Sequence, residues 1–89
     1  MVIKASHITN LTDARYFAAK EAAFLCYNLE EGATAYLDPM YMKAIREWVE
    51  GPKTVGVFKR TPPRVVVEAA AFYTLDALEL SAAFYGDQL

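Results

Sequence analysis

The sequence predicts an α/β chain with four parallel strands joined by three helices, on three observations. Short apolar runs with strand character alternate with longer stretches whose apolar residues recur at helical spacing. Asp38-Pro39 and Thr61-Pro62-Pro63 punctuate that alternation as helix starts. The run KTVGVFK, residues 53–59, is apolar on both faces, as suits a strand in a parallel sheet covered on both sides.

Taken in order, MVIKASHI (residues 1–8) reads as the first strand, with Val2, Lys4 and Ser6 on one face and Ile3, Ala5 and His7 on the other. Asn10 then caps a helix through LTDARYFAAKEA, and Asp13 sits at its positive end. FLCYNL is the second strand and EEGATAYL a loop, with Glu30 and Glu31 in its solvated part. From Pro39 to Glu50 a helix places Tyr41, Met42, Ile45, Trp48 and Val49 on one core-facing stripe, and Gly51-Pro52 ends it. KTVGVFK is the third strand. The helix after Pro62-Pro63 carries the stripe Val65, Val66, Ala69, Phe72 and Tyr73. LDALEL is the fourth strand, and SAAFYGDQL is a tail with room for one helical turn.

The chain of 89 residues makes a single domain, 1–89. A body this small buries only about 60–65% of its unfolded surface, so an apolar share of 55% implies an exposed face that needs a partner. The net charge is −2 and the densest basic cluster is the pair Lys59-Arg60, which excludes a nucleic-acid surface. One cysteine, Cys26, and one histidine, His7, leave no disulfide and no zinc-ligand set, and fit a reducing, cytoplasmic setting. No run reaches the roughly 18 apolar residues of a membrane span, so no membrane partner is expected. The glycines at 32, 51, 56 and 86 are scattered and form no phosphate loop, and no cofactor is expected.

Right-handed crossovers put all four strands parallel in one sheet. Two architectures fit this order: a small open α/β sheet, or a consecutive segment of an eight-stranded (β/α)8 barrel.

The motifs resolve that further. IKASHITNLTDARYFAA resembles the opening of phosphoribosylanthranilate isomerase, a tryptophan-pathway (β/α)8 enzyme, which reads close to KICGITNLEDA. LCYNLEEGATAYLDP is similar to the family's LGFNFYPGSPRYISP, GPKTVGVF to its VGVF, and LDALEL to its LDAVQLHG. The resemblance runs in register over almost the whole chain. It implies a (βα)3β half of a TIM barrel; such a half leaves two unpaired strand edges, which a second copy would close into eight strands, so a homodimer is expected.

The resemblance also assigns positions. The family's general base, a cysteine at the end of the first strand, falls on Ser6, whose hydroxyl is a poor base without an activating neighbour. His7 stands where the family has glycine. The arginine that binds the anionic substrate falls on Ala35, a glutamine on Glu79 and a histidine on Ser81. The resemblance implies a small anionic sugar phosphate as a partner, and Glu79 would carry into that site a charge that repels it. The family's acid and its phosphate loops belong to later strands. Scaffold positions are kept and chemistry positions replaced.

Three functions follow as expectations. The first is an inactive, self-associating half-barrel scaffold. A second is a divergent phosphoribosylanthranilate isomerase, or a fragment of one, performing the Amadori rearrangement of an aminoaldose to a ketose. The third is a small-ligand module whose polar rim is Ser6, Tyr27, Asn28, Glu79 and Ser81. Cys26 is expected to be a small buried hydrophobe.

Overall fold

A computed structural model describes residues 2–86. Its elements are β1 (Lys4–Ala5), α1 (Leu11–Ala19), β2 (Phe24–Asn28), α2 (Pro39–Glu47), β3 (Lys53–Phe58), α3 (Pro63–Phe72), β4 (Ala77–Leu80) and α4 (Ala82–Tyr85). The last three residues of the tail lie outside the described residues.

Local chemistry sets the helix starts. Asn10 Oδ1 accepts from the Asp13 N–H at 2.8 Å, which satisfies one of the free donors of α1. Asp38 Oδ1 accepts from the Met40 N–H at 2.8 Å, with Pro39 at the first helical position of α2. At α3 the capping position is Pro62 and no side chain caps it. The hydroxyl of Thr61 is engaged elsewhere, as described below.

All four strands are parallel and pair in the order β1-β2-β3-β4. A doubly wound sheet reverses direction at a switch point, whereas sequential order is that of a barrel wall, with every helix on one face. The main core agrees: Ala5, Leu25, Tyr27 and Phe58 from the sheet, with Leu29 just beyond β2, pack with Ala14, Met42, Ile45 and Val66 from the three long helices. Opposite the helices, Cys26, Val55 and Val57 form a second buried cluster with Phe24 and Ala77 against it.

The elements are shorter than the sequence pattern suggests. β1 has two residues because His7, at φ +57°, leaves the extended region. If the Ala5↔Leu25 register continued regularly, the Cys26 carbonyl would accept from position 7. It accepts instead from the Ile8 N–H at 3.1 Å, so Ser6-His7 carries one extra residue, as in a β-bulge.

Both helical stripes are also narrower than expected. Met42, Ile45 and Val49, and likewise Val66, Ala69 and Tyr73, follow the i, i+3, i+7 line into the core. Tyr41, Trp48, Val65 and Phe72 sit one residue earlier on the flank and are 54%, 65%, 42% and 74% exposed, so they are not core residues of this chain. α4 docks by its last residue: Tyr85 is buried and its hydroxyl donates to the Thr61 carbonyl at 2.6 Å. Arg46 on α2 donates to the carbonyls of Tyr73 and Thr74, tying the end of α3 to its neighbour.

This division of the α2 stripe is measurable. Met42→Ala is expected to cost about 2–5 kcal/mol, whereas Trp48→Ala is expected to stay within about 0.5 kcal/mol. Urea unfolding followed by circular dichroism reads both.

Candidate functional site

Parallel pairing brings the C-terminal ends of all four strands to one side of the sheet, and Ser6, Ala35, Glu79 and Ser81 all lie there. Ser6 is exposed just beyond β1. The turn that follows needs a left-handed residue, which costs a side-chain-bearing residue about 1–2 kcal/mol and costs glycine nothing of that kind. His7 occupies the turn at φ +57°, where the isomerase pattern has glycine, and its imidazole is exposed. Ser6 and His7 therefore share a bulge and show no hydrogen bond to each other.

Ala35 is also left-handed, at φ +58°, in the loop between β2 and α2. That loop folds back on the end of β2. Asn28 Nδ2 donates to the Thr34 carbonyl at 2.6 Å, and the Leu37 N–H donates to the Asn28 carbonyl at 2.9 Å. Asn28 is thus buried and committed to the loop, and Tyr27 is buried among the helices. Neither forms the polar rim expected of them. Burial pushes the Tyr27 hydroxyl up to about 12, against the opposing charge of Arg46.

Glu30 is the residue that sequence reasoning missed. One carboxylate oxygen accepts from the N–H groups of Lys59, Arg60 and Thr61 at 3.2, 2.7 and 2.6 Å, and from the Thr61 hydroxyl at 2.6 Å. It joins the loop after β2 to the loop after β3. Consecutive N–H groups at the start of a helix make an anion cradle, and here a side chain of the same chain fills it. Burial alone would raise the carboxyl. The bonds from Thr61, Arg60 and Lys59 together outweigh that and hold it below the usual carboxylate range. No local pattern marks it: a Glu-Glu pair in a loop reads as solvated, and the partners of Glu30 are backbone groups of a distant loop.

On the helix-free face, Lys4 of β1 and Glu79 of β4 form an ion pair with Nζ 2.5 Å from Oε1. The Glu79 hydrogen bond, and then its charge, raise the Lys4 ammonium above its usual range. Glu79 thus has its charge matched within the chain. The buried Cys26 thiol lies near the pair and is pushed up to about 11, by burial first and then by Glu79, with Lys4 opposing. A thiol held protonated is inert as a base or nucleophile. Glu79 and Ser81 line a shallow open hollow of about 290 Å³ with Val57, Phe58, Lys59 and Leu80. Among the described residues, no cluster of His, Cys, Asp and Glu is placed to hold a metal ion.

No family model matches the chain, and no curated protein matches its sequence. Solved structures do match. Phosphoribosylanthranilate isomerase from Thermus thermophilus superposes with a TM-score of 0.83 at 31% identity, over 90% of this chain and 40% of that one. The Thermotoga maritima enzyme gives a TM-score of 0.77 at 28% identity, over 90% and 40%. A phosphoribosylanthranilate isomerase structure in complex with reduced 1-(o-carboxyphenylamino)-1-deoxyribulose 5-phosphate gives 0.76 at 28%, over 90% and 42%. The chain spans about four-tenths of the length of the solved structures it matches.

Two predictions come from the strand ends. His7→Gly relieves the left-handed strain and is expected to raise unfolding stability by about 1 kcal/mol in urea titration. Glu30→Gln keeps the shape but weakens the clasp, and is expected to lose about 1–2 kcal/mol at neutral pH. A depressed carboxyl pKa stabilises above the unfolded value, so the gap from the parent chain is full above about pH 5 and closes as pH falls through the folded pKa.

Proposed function

From this phosphoribosylanthranilate isomerase-like fold, half of a TIM barrel in its four strands, we propose that the chain is a self-associating scaffold with no isomerase activity of its own. The observation that carries the reading is the state of the sheet edges: β1 pairs only with β2, and β4 only with β3, among the described residues. An open edge presents a row of free N–H and C=O groups to any matching strand. A second copy supplies the matching edges on both sides and closes eight strands about a two-fold axis.

The chemistry of the strand ends supports the inactive half of the reading. A sugar-phosphate isomerase needs a base, an acid and an anion cradle. Among the described residues no side chain hydrogen-bonds Ser6 at the base position, and burial pushes the Cys26 thiol up to about 11, away from the thiolate form. The cradle at α3 is filled by Glu30, and the arginine position holds Ala35. An anionic substrate therefore finds no free cationic fork at the assigned positions. The lone buried thiol is in keeping with a reducing cytoplasmic setting, and no helix among the described residues is long and apolar enough to cross a membrane.

Two measurements test this. Sedimentation equilibrium across a wide concentration range is expected to give the mass of a dimer. Incubation with phosphoribosylanthranilate, followed by anthranilate fluorescence, is expected to show no turnover above the uncatalysed rate. A monomer at every concentration overturns self-association, and enzyme-dependent turnover overturns inactivity in favour of a divergent isomerase.

A further inference from the structure

The Lys4–Glu79 pair says more about the barrel than its energy suggests. In the ladder Lys4 lies level with Phe24 and Lys53, and two residues back from Val55↔Ala77 that row reaches Leu75. Glu79 is four positions further along β4. On a flat sheet the two Cα atoms would stand about 19 Å apart, from three strand spacings of ~4.8 Å and four residues of ~3.3 Å. No lysine and glutamate span that distance, yet Nζ and Oε1 are 2.5 Å apart. The sheet is therefore already curled about an axis inclined to its strands, and the pair fixes the direction of the tilt.

The offset has a geometric meaning. In an eight-stranded parallel barrel the register slips by roughly eight residues in one circuit. Two identical four-strand halves take roughly four each. Continuing the Lys4 row past Leu75 onto β1 of a second copy, in the direction the pair fixes, sets Glu79 level with Lys4 of that copy. Both side chains lie on the face that becomes the interior, shared with Cys26, Val55 and Val57.

We infer that Lys4 and Glu79 form an exchangeable ion pair, closed within the chain when it is alone and formed between β1 and β4 of two copies across both seams of the dimer. This rests on the self-association proposed above. Each seam then carries one lysine and one glutamate in register, which specifies how the open edges meet: β1 against β4, never β1 against β1 or β4 against β4, where like charges would face each other.

Charge exchange separates the alternatives. Lys4→Glu and Glu79→Lys each place like charges at every seam of a homodimer, and each is expected to weaken self-association about tenfold or more. Mixed one to one, with one variant isotopically labelled for native mass spectrometry, they are expected to form a heterodimer within about threefold of the parent affinity, since both seams regain opposite charges. The double exchange K4E/E79K restores the pair in either arrangement and is expected to behave as the parent. If a single variant does not fold alone, co-refolding of the two is the reading: a gain in helical signal only on mixing supports the exchange, and no gain overturns it. A dimeric parent whose variants gain nothing on mixing leaves self-association standing and overturns the exchanged pair. A parent that is monomeric throughout overturns both.

Discussion

A parallel sheet has to be covered on both faces, and this chain brings its three long helices to only one of them. The rest of the architecture answers that constraint. On the bare face the central strands carry Cys26, Val55 and Val57, and the sheet curls until Lys4 and Glu79 meet from the two edges beside them. These residues are buried without a helix above them. A charged pair on that face is tolerable because both groups remain about half exposed, where solvent screens them and desolvation costs little.

The strand ends are built on a different principle. Backbone geometry there is held by committed polar groups: Asn28 ties down the loop after β2, and Glu30 carries that loop to the start of α3. His7 and Ala35 sit in left-handed conformations that favour glycine. Strain of this kind persists where surrounding bonds over-determine the backbone. Here the Ile8–Cys26 and Leu37–Asn28 hydrogen bonds do so. The backbone at the strand ends is thus held by hydrogen bonds within the chain, and the charge of Glu79 on the helix-free face is matched by Lys4.

The alternation of strands and helices, the helix starts and the buried state of Cys26 were legible because each follows from local pattern: Asn10 and Asp38 are caps by side-chain chemistry, and KTVGVF is apolar on both faces by composition. Pattern left the strand order open between an open sheet and a barrel wall, and only the motif likeness chose. Motif likeness singled out Ser6, Ala35, Glu79 and Ser81, and the parallel strand order sets all four at one end of the sheet. What pattern missed depends on through-space geometry. The register slip at Ser6-His7 shows only in which N–H reaches Cys26. The flank residues Tyr41, Trp48, Val65 and Phe72 share the helical period of the core stripe, and only the neighbouring helix decides which line is buried. Tyr27 and Asn28 read as rim residues because strand ends are often polar, but the returning loop and the helices bury them. Glu30 escaped because its partners are backbone groups 29 to 31 residues away, to which side-chain periodicity is blind.

The Glu30 clasp has a consequence for anything that approaches this end of the sheet. A carboxylate tethered to the same chain competes at a local concentration on the order of millimolar or above, set by the short loop that carries it. A free anion reaching the N–H groups of Lys59, Arg60 and Thr61 must displace a competitor that never diffuses away. At low solution concentrations the start of α3 is, in effect, permanently saturated by its own protein.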